Sequence, residues 1–177
     1  MTLGTSPPSR IILGIDPGLL HCGWGIIKVT GSRLRYISHG VISPDPKLDL
    51  AQRLRTLHLD MMAVLNKYIP TEAAIEETFV NKNPSSALKL GHARGVLLAT
   101  PALFGISVAA YTANQVKKAV TGVGHGTKDQ VAVMVSHLLP LAPKVQEDAA
   151  DALAIAICHA HWAPIHKIHS PPTIKPV

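Results

Sequence analysis

The chain holds only two cysteines in 177 residues, Cys22 and Cys158, far apart and in no metal-ligand spacing. Their scarcity excludes a disulfide scaffold and a thiolate zinc site, and it fits a reducing compartment. Long hydrophobic runs are also missing. The longest apolar stretch, Gly95 to Tyr111, is broken by Pro101 and Gly105 and is too short for a comfortable membrane span. Met1 to Arg10 is polar, with Pro7-Pro8 and no apolar centre, which reads as a loose leader rather than a signal peptide. Together these absences predict a cytoplasmic protein without a membrane partner.

Three further motifs are absent. The loop Gly122-Val123-Gly124-His125-Gly126 lacks the Lys-Ser/Thr ending of a phosphate-cradling P-loop. The ten histidines, His159, His161, His166 and His169 among them, fall in no zinc spacing. His159 and His161 instead close a helix, where cationic His is favourable. No internal repeat is visible. Acidic residues are short in one region: residues 81–146 carry seven Lys/Arg against one Asp/Glu, and this segment supplies the net charge of +6. The imbalance marks either a solvated basic surface or a face for a polyanion, most simply nucleic acid.

What is present suffices for a core. With 47% hydrophobic residues, residues 10–162 are expected to form a single domain, between the leader at 1–9 and a loosely ordered tail at 163–177. Ile11 to Asp16 reads as a buried strand stopped by Pro17-Gly18. Cys22 to Val29 and Arg33 to Ile42 read as the next two strands of a meander, joined at Gly31-Ser32. Leu50, Leu54, Leu57, Met61, Val64 and Tyr68 recur at helical spacing and predict an amphipathic helix that Pro70 ends. Ala73 to Val80 reads as a fourth strand, in which Glu76 and Glu77 must point to opposite faces.

A helix is expected from Ser85 to about Thr100, kinked or ended by Pro101. Along it Ala87, Gly91, Gly95 and Ala99 form a stripe of small residues that invites close approach, by the sheet or by a second subunit. Ser107 to Thr112 reads as a fifth strand, followed by a short helix at Asn114 to Val120. Thr127 is the expected N-cap of a helix to Leu139, and Asp148 to about Trp162 reads as a buried final helix.

Four acids stand at telling positions. Asp16 ends a core strand, where a carboxylate is costly unless it is paired, hydrogen-bonded or bound to metal, although Asp-Pro-Gly is also ordinary turn chemistry. Asp148 and Asp151 project from one side of a helix's first turn, where they either cap it or act as ligands. With Glu76 they make a carboxylate set that repels itself unless a cation sits among its members. Hard oxygen donors of this kind suit Mg²⁺ or Mn²⁺.

Gln146 to Ala156, taken with Ile12 to Gly18, Ala74-Ile75-Glu76, Ser86 to Gly91 and Gln115-Val116-Lys117, closely resembles the RuvC family of bacterial Holliday junction resolvases, over roughly residues 10 to 162. The resemblance implies an α/β ribonuclease-H-like fold, a five-stranded mixed sheet flanked by helices. It implies a homodimeric endonuclease of recombination and DNA repair that nicks opposed strands of four-way junction DNA, served by a RuvA and RuvB helicase complex. By position, Asp16, Glu76, Asp148 and Asp151 become the catalytic acids and ligands of two Mg²⁺ ions, with Mn²⁺ able to substitute. Lys117 and Lys128 become the active-site lysines, and Phe79 an aromatic that meets bases at the crossover.

Two-metal hydrolysis would leave a 5′ phosphate and a 3′ hydroxyl. Lys82, Asn83, Lys89, Arg94 and Lys118, together with His125 in the glycine loop, are the remaining candidate DNA contacts. The chain departs from the family pattern at Leu19, Leu20 and His21, where many relatives carry a small hydroxyl and a basic residue, and at Asn114, where some carry arginine. Glu77 and Glu147, beside the quartet, receive no role.

Overall fold

The computed structural model describes residues 9–77, 83–124, 126–140, 142–143 and 146–163. Three strands open the chain: β1 (Ser9–Asp16), β2 (Cys22–Thr30) and β3 (Arg33–Ile42). The nineteen-residue helix α1 (Leu50–Tyr68) follows, N-capped by Asp49, whose carboxylate accepts from Gln52 N. It stops at Ile69, which takes a left-handed conformation with φ 47°. β4 (Glu72–Glu76), α2 (Pro84–Leu103), β5 (Ser107–Tyr111) and α3 (Ala113–Thr121) come next. α4 (Lys128–Leu138) and α5 (Glu147–Trp162) complete the order.

The five strands form one mixed sheet in the order β3-β2-β1-β4-β5. β1, β2 and β3 pair antiparallel, whereas β1–β4 and β4–β5 pair parallel. Side-chain alternation divides the core in two. Ile12 and Ala74 face α3, α4 and α5, where Val116, Val131, Leu153 and Ile157 pack on them. Leu13, Ile15 and Ile75 face the opposite side, covered by Leu57 and Met61 of α1 and by Ala93 and Leu97 of α2. Among the described residues, no helix is long and apolar enough to cross a membrane.

Element boundaries differ from expectation by more than one residue at three places. The first strand begins at Ser9, because Ser9 and Arg10 continue the β2 ladder opposite Thr30 and Val29. The fourth strand spans only Glu72–Glu76; the expected extension to Val80 runs largely outside the described residues. The second helix passes Pro101 and ends at Leu103. Pro101 sits in the last turn, where its missing N–H removes one helical hydrogen bond, the one to the Leu97 carbonyl, and its own carbonyl accepts from both Phe104 N and Ile106 N at 3.0 Å.

The small-residue stripe of α2 does not meet the sheet. A Cβ added at Gly91 or Gly95 would find no atom within 4 Å, and both residues are exposed. The buried face of α2 is formed instead by Ala93, Leu97, Thr100 and Pro101.

Candidate active site

Parallel pairing of β1 with β4, in register at Ile15 and Ile75, brings the carboxyl ends of both strands to one edge. Asp16 and Glu76 end those strands on the face that α5 covers, since each lies two residues from a core position of that face, Gly14 and Ala74. Glu77 follows beyond the strand end, its N–H donating to the Tyr111 carbonyl at 2.8 Å. α5 is laid into this face by glycines. A Cβ at Gly14 would stand 2.0 Å from the Ala152 carbonyl oxygen, and one at Gly23 would stand 1.9 Å from that of Asp148. Gly23 is the ladder partner of Asp16. The first turn of α5 therefore rests directly beside the end of β1.

One pocket collects the result. Asp16, Glu76, Asp148 and Asp151 line it together with Lys117 of α3 and Lys128 of α4, and Val116, Val131 and Ile155 supply apolar wall. Two capping boxes set the lysines: Thr112 with Gln115 opens α3, and Thr127 with Gln130 opens α4. Lys128 Nζ donates to Glu147 Oε1 at 2.6 Å and stands 3.9 Å from Asp151 Oδ2.

Electrostatics mark the pocket as short of positive charge. Burial, then the charges of Asp151, Glu76 and Asp148, push the Asp16 carboxyl up to about 8 against the pull of Lys128. Burial and Asp151 likewise raise Glu76, opposed by Lys128 and Lys117. Burial raises Asp151 as well, against Lys128, with Glu147 and Asp148 adding to the rise. The hydrogen bond to Glu147 raises Lys128 and holds it protonated.

A divalent cation suits this donor set: oxygen-only, anionic, and two lysines short of neutrality. Among the described residues no three such side chains already sit close enough to hold an ion, so the carboxylates line a pocket rather than a closed cage.

The remaining candidates are dispersed. Lys89 lines a second depression next to the acidic pocket, with Asp148 in the wall of both. Arg94 is partly committed to the fold, its Nε donating to the carbonyl of Glu76 at 3.1 Å. The exposed Asn83 caps α2, its side chain accepting from Ser85 N and Ser86 N. Lys118 is exposed on α3. Phe79, Lys82 and His125 lie outside the described residues, as do His166 and His169.

Sequence reasoning missed two features. Glu147, without an assigned role, is the partner of Lys128. His159 is a buried bridge, only 6% exposed, rather than a helix-end charge. Its Nε2 donates to Glu72 Oε2 at 2.8 Å, and its Nδ1 shares a hydrogen bond of 2.9 Å with the Tyr111 hydroxyl. Arg10 completes the network on Glu72 at 3.1 Å. Glu72 lay just outside the expected strand, which began at Ala73, and received no role from the sequence. The pairing with His159, 87 residues away, has no local signal.

A family model described as crossover junction endodeoxyribonuclease RuvC matches residues 12–159. The chain is 56% identical over 151 residues to the protein of that name from Rhodospirillum rubrum, covering 85% of this chain and 89% of the relative. It is 55% identical over 154 residues to that of Beijerinckia indica, covering 87% and 88%. Among solved structures it is similar to T. thermophilus RuvC in complex with Holliday junction substrate, with TM-score 0.82 and 36% identity over 87% of this chain and 94% of that one. The yeast mitochondrial Holliday junction resolvase Ydc2, at 13% identity and TM-score 0.65, shares the fold. That fold is ribonuclease-H-like, a five-stranded mixed sheet flanked by helices.

Proposed function

The chain belongs to the RuvC family of crossover junction endodeoxyribonucleases and is a metal-dependent nuclease that resolves Holliday junctions; we propose that Asp16, Glu76, Asp148 and Asp151 hold its metal, with Lys117 and Lys128 as the active-site cations. The observation that carries this reading is the joint lining of one pocket by four carboxylates and two lysines drawn from five elements. Burial, and behind it the charge of neighbouring acids, already raises Asp16, Glu76 and Asp151, and a bound cation would favour their charged forms. Two Mg²⁺ ions are the proposed complement. Their contribution when bound is charge neutralisation at the scissile phosphate and easier ionisation of the attacking water.

The chain's own residues do the rest. Lys117, on a capped helix against the pocket wall, meets the negative charge that develops on the phosphoryl oxygens. Lys128, tethered by Glu147, stands at the mouth and guides the backbone phosphate in. The apolar wall of Val116, Val131 and Ile155 excludes water from the inner side and strengthens each charge interaction. The products are a 5′ phosphate and a 3′ hydroxyl. Phe79 is proposed to meet bases at the crossover.

A homodimer is the proposed working form, with the open stripe of α2 as the contact between copies. Glycine inside a helix costs about 1 kcal/mol relative to alanine. Nothing within the described residues packs on Gly91 or Gly95 in return; a second helix approaching there would supply it. The cytoplasm, and a branch-migration helicase of the RuvA and RuvB kind, complete the proposal.

Incubation with Mg²⁺ and labelled four-way junction, linear duplex and RNA–DNA hybrid tests the substrate class. Paired, symmetric nicks in the junction alone are expected. Equal cutting of the linear duplex would refute junction selectivity.

A further inference from the structure

Lys128 is the first residue of α4 and Glu147 the first of α5, and their ion pair ties the opening turns of the two helices together. A cation at a helix N-terminus opposes the macrodipole, and a lysine's four-carbon stem lets its ammonium settle in many places. Three carboxylates compete for it. Lys128 Nζ stands 2.6 Å from Glu147 Oε1 and 3.9 Å from Asp151 Oδ2, and the charge of Asp16 also helps to hold its proton. Glu147 and Asp151 lie four residues apart on one side of α5, so one lysine can reach both.

The competitors differ in place. Asp16 and Asp151 line the acidic pocket, whereas Glu147 does not, and its side chain is 70% exposed. An ion pair this open to water adds only about 0–1 kcal/mol to the stability of a fold. Its consequence is therefore where it leaves the ammonium. On Asp151 or Asp16, Lys128 would serve as their counter-ion and repel a divalent cation from the same oxygens. On Glu147, it stays at the mouth and those oxygens stay available. We propose that Glu147 is a positioning residue that draws Lys128 away from Asp151 and Asp16, keeping the carboxylates open to the divalent cation and the ammonium open to the phosphate. The simpler role, an acid complementing the dipole of α5 beside Gln146, whose side chain makes no capping hydrogen bond, would not depend on Lys128.

This inference rests on the metal-site reading above, and its test separates the two. Mn²⁺ binding to the full chain without DNA is followed by loss of the paramagnetic resonance signal of the free ion. Wild type, Glu147→Ala, Lys128→Met and the double variant are compared; both side chains are exposed, so the fold should tolerate each change. Glu147→Ala should weaken Mn²⁺ binding about threefold, the scale of one exposed ion pair, because Lys128 then rests on Asp151. Lys128→Met should tighten it. With Lys128 already replaced, Glu147→Ala should have little further effect. An equal loss with and without Lys128 would show that Glu147 acts through its own charge, and would refute the positioning role; so would Mn²⁺ affinity in Glu147→Ala equal to that of wild type. Absence of Mn²⁺ binding by the wild-type chain, together with failure to nick a four-way junction in Mg²⁺, would instead overturn the metal-site reading itself.

Discussion

Asp16 holds its proton up to about 8 because burial and three neighbouring carboxylates oppose its charge. A carboxyl bound more tightly by its proton when folded than when unfolded stabilises the fold below the unfolded value and loses that contribution as pH rises through the folded one. Glu76 and Asp151 shift in the same direction. In chelator, stability should therefore fall between about pH 4 and pH 8, by on the order of a few kcal/mol, and the melting temperature should fall with it. Asp16→Asn should flatten that fall and raise the melting temperature at the alkaline end; thermal denaturation across the range that shows the same slope for both proteins would contradict the assignment of charge strain to Asp16. Glu72 behaves oppositely. Burial pushes it up, but His159 and Arg10 outweigh burial and hold it below its ordinary value, so its contribution is lost only in acid. The acids of the pocket were legible residue by residue, because strand ends, strand alternation and a three-residue helical spacing are local patterns. The Lys128–Glu147 and His159–Glu72 contacts were not, since each joins elements that only the tertiary fold brings together.

At the scale of elements, α5 is the part that assembles the site. Its N-terminal turn carries Asp148 and Asp151, and its last turn is pinned by His159 to Glu72 of β4 and Tyr111 of β5. Between these ends it lies so close to β1 that the Ala152 carbonyl occupies the space a side chain at Gly14 would need. Gly14→Ala should displace the helix backbone, costing about 1–3 kcal/mol and reducing nicking beyond what the stability loss explains. Urea denaturation alongside nicking rates checks this; an unchanged midpoint would show that α5 has room to spare.

α2 gives the opposite case. Its glycines were read in the sequence as a site of close approach, by the sheet or by a second subunit, and only the sheet is eliminated by the structure. Gly95→Trp should leave the monomer fold intact and weaken self-association. Sedimentation velocity at low concentration would detect the change, and an undisturbed dimer would remove α2 from the interface. The periodicity that revealed α2 could not say which face was buried, because small residues carry little hydrophobic signal on either side. Pro101 did not stop the helix at once, since it removes a single donor near the end and its carbonyl still accepts from Phe104 N and Ile106 N.

At the scale of the whole molecule, the five-stranded mixed sheet was expected only through the family resemblance, and its strand order, β3-β2-β1-β4-β5, was not read from the sequence. Hairpin spacing alone yields the meander of β1, β2 and β3. Nothing local dictates that β4 pairs with β1 rather than extending the edge at β3. That one parallel pairing sets Asp16 beside Glu76, at the edge where Lys117 of α3 and Lys128 of α4 line the acidic pocket, so that two lysines of the positive middle segment share it with the carboxylates. The central claim is that this carboxylate set carries metal-dependent strand scission and is dispensable for recognising the junction. The direct measurement compares wild-type protein with Asp16→Asn, in parallel, for four-way junction affinity in chelator and for nicking with Mg²⁺. The account predicts junction affinity close to that of wild type, because Asp16 already holds its proton at neutral pH in chelator, together with loss of nicking. Nicking by Asp16→Asn at the wild-type rate would contradict it.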